Sequence, residues 1–156
     1  MRKSAAAGWI LAVLLFGAAY LTAPAPPADT AVMPETEEPP VHRDADLTLA
    51  ILDGGAVQTM TLADYLTGVV RGEMPASFEL EALKAQAAAE RSYVYYQLSK
   101  GRKDAHPDAD FCTDHTCCSA FLSEASAKEK WGGDFLPWNT RVEQAVSATD
   151  GQVRTY

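Results

Sequence analysis

Two short stretches carry residue types and spacings that could do chemistry. In "VVRGEMPASFELEALKAQAAAERSYVYY", Val69 to Tyr96, the carboxylate of Glu73 stands between Gly72 and Met74-Pro75, at a break between two helical patterns. A plain turn there would hold Asn, Ser or a second Gly. A carboxylate at the C-terminal end of a helix meets the negative end of the dipole, and Met74, Pro75 and Phe78 beside it limit hydration. Both effects favour keeping a proton on the side chain, the state a general acid needs, while the N-terminus of the following helix pushes the other way. The plainer reading of the same residue is a solvated carboxylate in an inter-helix turn.

The second stretch, "HPDADFCTDHTCCSAF", gathers all three cysteines and two of the three histidines: His106, Cys112, His115, Cys117 and Cys118. An odd number of cysteines outside the cytoplasm cannot pair fully within one chain. One reading is a single disulfide from Cys112 to Cys117 or Cys118, leaving a free thiol; a bridge between the adjacent Cys117 and Cys118 would need strained backbone. The other is zinc, which takes four thiolate and imidazole ligands. Spacings of six, five and one from His106 match no common zinc finger.

The elements that must position these groups follow from pattern. "DLTLAILDGGAVQTMTL" reads as a hairpin, with Leu47, Leu49 and Ile51 alternating with Thr48 and Ala50, and a turn at Asp53-Gly54-Gly55. Thr61 and Asp64 form a variant capping box for a helix whose apolar residues are Leu62, Tyr65, Leu66, Val69 and Val70. Gly72 is expected to end it and Pro75 to prevent its resumption. Ser77 is the expected cap of a second helix over about 78–99, with Glu79 and Glu81 near its positive end and Lys100-Gly101 as its stop. Alanines at 85, 87, 88 and 89 would let another element approach closely. Residues 102–120 read as loop, 140–151 as a weaker helix, and "QVRTY" as the start of a strand with no partner after it, the pattern of a domain interrupted at its C-terminal end. The fold class is therefore α+β: a hairpin, two consecutive helices, a Cys/His loop and a further helix.

The chain has 156 residues, 47% hydrophobic and 22% charged, which fits one domain of ordinary size with appendages. Thirteen basic against twenty-one acidic residues give a net charge of −8, a poor platform for nucleic acid. Arg2 and Lys3 precede an apolar run long enough to cross a bilayer, and Pro24, Pro26 and Pro27 crowd the position of a cleavage site. Residues 1–23 are expected to be an uncleaved signal anchor, 24–45 a Pro-rich tether, and 46–156 a folded domain outside the cytoplasm on a single-pass membrane protein.

"EMPASFELEALKAQAAAERSY", with the upstream "LADYLTGVVRG" and the downstream "AVSATDGQV", closely resembles the signature of the stage II sporulation protein D family. The resemblance covers about residues 47–156. It implies a lytic transglycosylase that cleaves peptidoglycan glycan strands after a partner amidase, the stage II sporulation protein P, has removed the stem peptides during engulfment. It implies that Glu73 is the catalytic acid and that Lys84, Gln86, Arg91 and Tyr93 belong to the family's helix motif, in second-shell or substrate-binding positions. Lys84 and Arg91, seven apart, share a helix face; as purely structural residues they would cover apolar surface and pair with acids such as Glu81 or Glu90.

Some members of the family hold a structural zinc ion in the corresponding loop. Carried across, the ligands are His106, Cys112, Cys117 and Cys118; Cys117 stands where those members commonly have His, which leaves His115 as a substitute. Cys118-Ser119-Ala120-Phe121 stands where a Cys-Gln-Ala-Tyr run is usual. No cofactor is required for the cleavage itself. The reading leans to an enzyme, against a non-catalytic glycan-binding protein or amidase enhancer, and against a metal-dependent or redox-active domain built on the cysteine loop.

Overall fold

The computed structural model describes residues 43–154, so the expected anchor at 1–23 and nearly all of the expected tether lie outside the described residues. Among the described residues no helix is long and apolar enough to cross a membrane. The hairpin forms as expected. Strand β1 (Thr48–Asp53) pairs antiparallel with β2 (Ala56–Thr61), from Thr48 opposite Thr61 to Asp53 opposite Ala56. Gly54 and Gly55 both adopt positive φ in the two-residue turn, which glycine does without steric cost. Leu49 and Ile51 face the core and are fully buried. Residues 102–120 are not all loop. A two-residue strand, β3 (Phe111–Cys112), runs parallel to β1 and completes the order β2-β1-β3. A pairing that short leaves no alternation to read in sequence.

Thr61 caps helix α1 (Leu62–Glu73) by accepting the Asp64 N–H at 3.1 Å, and its hydroxyl donates to the Asp64 carboxylate at 2.7 Å. Leu62, Tyr65, Leu66, Val69 and Val70 are all fully buried, the face the spacing predicts. The helix runs through Gly72 to Glu73, so Gly72 does not end it; Pro75 blocks continuation. Helix α2 (Leu80–Lys100) begins two residues later than expected, and its cap position is Glu79, with no side-chain bond, not Ser77. The Phe78 N–H bonds the Pro75 carbonyl at 2.9 Å, which places Ser77 inside a turn rather than at a helix start.

Past the cysteine loop, Ser123 caps a helix absent from the sequence expectations, α3 (Glu124–Trp131). A 3-10 turn (Gly132–Asp134) leads into α4 (Phe135–Ser147), longer at its front than the expected 140–151 element. Residues 152–154 form no strand. Helices α1, α2 and α4 pack together over the sheet around Leu66, Leu83, Val94, Phe111 and Val142.

One buried ion pair ties the entry of the domain to this core. Arg91, fully buried on α2, holds both carboxylate oxygens of Asp44 through Nε and Nη2, at 2.7 and 2.6 Å. It also donates to the carbonyl of Gln152 at 3.1 Å, and Asp44 donates its N–H to Asp150 at 2.7 Å. The packed region thus already includes Asp44, ahead of the expected start at 46. Removing one member of a buried pair strands the other charge in a dry site. Arg91→Met is expected to lower unfolding free energy by about 3–5 kcal/mol, and the double variant Arg91→Met/Asp44→Leu by clearly less. Urea unfolding of both variants checks this; equal losses would remove the pair from the core account.

Candidate functional site

Glu73 is the last residue of α1, and the chain turns away at Met74 in extended conformation. The shielding from water expected of its neighbours is not present: Glu73 and Pro75 are exposed, and Phe78 is 48% exposed. Instead the carboxylate has a specific partner. Its Oε1 accepts the Ala120 N–H at 2.6 Å, and among the described residues no donor reaches Oε2. The side chain borders a groove of about 500 Å³ whose wall includes Met74, Pro75, Lys130, Trp131 and Trp138. Trp131 and Trp138 meet edge to face, ring centroids 5.7 Å apart at 81°. Helix α4, which carries Trp138, is held to the α1 end and to the turn after it by polar contacts. Buried Arg71 donates to the Asn139 side-chain carbonyl through Nε and Nη2, and Arg141 donates to the carbonyls of Ala76 at 3.3 Å and Phe78 at 2.6 Å.

Ala120 reaches Glu73 because α1 offers a notch. A β-carbon at Gly68 would lie 2.1 Å from the Phe121 ring, and one at Gly72 would lie 2.5 Å from the Ala120 carbonyl oxygen. Phe121 stacks on Tyr65 at 6.0 Å, and the Leu122 N–H bonds the Gly68 carbonyl at 3.0 Å. Residues 119–122 therefore form a strap laid along α1. On its other side Ser119 donates to Glu90 at 2.9 Å, whose second oxygen accepts from Gln86 at 2.9 Å. Burial raises the Glu90 pKa; the Ser119 bond opposes this, the nearby Glu73 charge adds to it, and the Gln86 bond opposes it again.

The strap begins at the cysteine cluster. One donor atom each from His106, Cys112, Cys117 and Cys118 lies within 4.8 Å of the others, and the three cysteines are unpaired. His106 is buried, and its Nδ1 lies 2.9 Å from the Ala109 carbonyl. A carbonyl only accepts, so this contact puts the proton on Nδ1 and leaves the Nε2 lone pair, 3.4 Å from the Cys118 sulfur, facing the thiols. Burial pushes the Cys118 thiol up to about 11 and the Cys117 thiol upward as well. Protons must leave such thiols when a cation binds. A tetrahedral ion with Zn–S bonds of about 2.3 Å needs donors about 3.8 Å apart, a small contraction of this cluster. His115 stands apart, its side chain 77% exposed beside Asp114.

The four helix-motif residues divide. Gln86 orients Glu90 beside the strap. Tyr93 packs its ring edge against Phe111 and accepts from Lys103 at 3.2 Å; Lys103 also donates to the Cys117 carbonyl, so Tyr93 abuts the cysteine cluster. Lys84 pairs with Glu81 at 3.0 Å, and Arg91 with Asp44. Among the described residues neither cation has a hydrogen bond to Glu73. Sequence reasoning did not pick out Trp131 or Trp138, noted Ser119 only as part of a departure from the family's usual run, and named Glu90 only as a pairing partner. The visible signals were a carboxylate inside an alanine run and two tryptophans bracketing a Gly-Gly.

Compared with known proteins, residues 53–156 match the family model described as "Stage II sporulation protein". The chain is 32% identical over 117 residues to stage II sporulation protein D of Bacillus subtilis (strain 168), covering 75% of this chain and 32% of that protein. It is 31% identical over 101 residues to the protein of that name from Bacillus amyloliquefaciens, covering 65% and 29%. An amidase enhancer of Bacillus subtilis (strain 168) is 33% identical over 91 residues, covering 58% of this chain and 10% of that protein. The chain thus spans about a third or less of the length of these relatives.

The notch is open to test. Gly→Ala inside a helix ordinarily stabilises by about 1 kcal/mol. Gly72→Ala is expected instead to destabilise by about 1–3 kcal/mol, because its methyl group meets strap backbone. It should also move the Ala120 amide resonance. Chemical unfolding and a nitrogen–proton correlation spectrum report both; a stabilised variant with an unmoved Ala120 peak would contradict the packing.

Proposed function

The chain belongs to the stage II sporulation protein family, and on that premise we propose that it is a lytic transglycosylase acting on peptide-stripped glycan strands of peptidoglycan. The observation that carries this reading is the placement of Glu73: one carboxylate oxygen tied to a backbone N–H, the other without a donor among the described residues, at the edge of a groove walled by Trp131 and Trp138. Aromatic faces suit the apolar faces of sugar rings, and a carboxyl group beside them can meet a glycosidic oxygen.

The chemistry needs one carboxyl group. Protonated Glu73 gives its proton to the bridging oxygen as the C1–O bond breaks. The 6-hydroxyl of the same muramic acid closes on C1, and its proton passes to the Glu73 carboxylate. The acid is regenerated and the product ends in a 1,6-anhydro sugar, with no water consumed. A glycosidase of the usual kind pairs two carboxyl groups across the bond. Glu90, the nearby second carboxylate, has both oxygens engaged by Ser119 and Gln86, which supports the single-acid route.

The proposed substrate implies a partner amidase of the stage II sporulation protein P type to strip the peptides, and a role in sporulation engulfment. Residues 1–23 would hold the domain at the outer face of the cell membrane. His106, Cys112, Cys117 and Cys118 would hold zinc, closed by four protein ligands and therefore structural. A second reading, a glycan-binding enhancer of an amidase, draws on the similarity to the amidase enhancer and on the exposure of Glu73.

Glu73→Gln is expected to reduce release of anhydro-ended fragments from peptide-free glycan by at least about 100-fold, and Trp131→Ala to raise KM more than it lowers kcat. Mass spectrometry of the digest checks both; undiminished anhydro product from Glu73→Gln removes Glu73 as the acid. A native chain that sediments with glycan but releases nothing favours the binding reading.

Protein produced with zinc present is expected to carry about one ion per chain, with a melting temperature that falls on chelation and in Cys118→Ser. Elemental analysis near zero, with an oxidised cysteine pair, would overturn the metal assignment.

A further inference from the structure

Glu90 sits half-buried inside the run "AQAAAERSY", on a helix face where alanine would cost nothing. A buried carboxylate is costly unless it is hydrogen-bonded, so its partners matter. Gln86, one turn earlier on α2, holds Oε1, and the hydroxyl of buried Ser119 holds Oε2. Ser119 is the residue after the last cysteine, and the next residue, Ala120, supplies the N–H that binds Glu73 Oε1 at 2.6 Å. Phe121 and Leu122 fasten the far end of the strap in the α1 notch. Among the described residues, the bond to Glu90 is the side-chain hydrogen bond that fixes the Ser119–Ala120 peptide from the α2 side.

We propose that Glu90 and Ser119 are positioning residues for Glu73: they hold the Ala120 N–H against Oε1, so that Oε2 is the atom presenting the proton to the groove. An N–H donor on one carboxyl oxygen leaves the other as the site of protonation. This rests on the reading of Glu73 as the acid. Neither side chain is a donor in the cysteine cluster.

Native chain is compared with Glu90→Ala, Glu90→Gln and Ser119→Ala, by glycan-cleavage kinetics and by hydrogen exchange of the Ala120 amide. Glutamine still offers Ser119 an oxygen, and Gln86 can meet its amide by turning over its own. Glu90→Ala and Ser119→Ala are expected to speed Ala120 exchange and lower kcat, each about tenfold, the scale of one lost hydrogen bond, with KM within about twofold. Glu90→Gln is expected to restore most of both. Unchanged Ala120 exchange in Glu90→Ala and Ser119→Ala overturns the proposal, as does a fall in kcat that Glu90→Gln does not relieve. If the native chain releases no anhydro product, the transglycosylase reading fails, and the exchange measurement alone decides whether these residues position Ala120.

Discussion

Residues 119–122 can lie against α1 only because positions 68 and 72 carry no side chain. A helix surface normally keeps a neighbouring backbone about 8–10 Å from its axis through the side chains between them. Here two glycines one turn apart remove those side chains, and the strap sinks until Ala120 and Phe121 occupy the space. Three consequences follow from that one approach. The Phe121 ring reaches Tyr65 and joins the core. The Ala120 N–H reaches the end of α1 and meets Glu73. The cysteine cluster, immediately before the strap, is drawn against the sheet, where Cys112 belongs to β3 and Tyr93 to α2.

The molecule separates what holds the scaffold from what holds the site. Arg91 and Asp44 close the scaffold through a buried bidentate pair, with Thr149 and the Gln152 carbonyl accepting further guanidinium hydrogen bonds. Surface pairs such as Lys128–Glu124 contribute little beside it, being exposed and screened. Around Glu73 the contacts are of another kind, single hydrogen bonds between a loop and two helices. Such bonds specify orientation more than they add stability. The groove helix is held by Arg71 on Asn139, and burial lowers the Arg71 pKa while the Glu143, Glu124 and Asp64 charges oppose that.

What the sequence revealed was local. The hairpin, the Thr61 cap, the buried face of α1 and the stop at Gly101 each depend on residues within a few positions of one another, and each is present. The α+β class followed from them. The sequence misled where the cause lay far along the chain. Gly72 looked like a helix stop but answers to Ala120, and Arg91, whose structural reading had it pair with an acid such as Glu81 or Glu90, pairs with Asp44, 47 positions away. Helix α3 had a legible serine cap but little apolar periodicity, with Ala127 as its one buried residue. For the cysteine loop, composition left disulfide and metal open; the choice between them turns on where four donor atoms meet, which spacing does not encode.

Glu73 is exposed in the free protein, whereas the proposed proton transfer calls for a site closed to water. The groove suggests how the substrate itself resolves this. A glycan strand seated against Trp131 and Trp138 would cover the open side of Glu73, displacing water from Oε2 while Oε1 stays on the Ala120 N–H. Desolvation would then be supplied by binding of the proposed substrate. Lys130 at the groove edge is exposed, so it adds local positive charge to a chain whose net charge is −8. On the proposed reaction, the same logic would have the carboxylate oriented before a strand arrives, with Oε1 already on the Ala120 N–H.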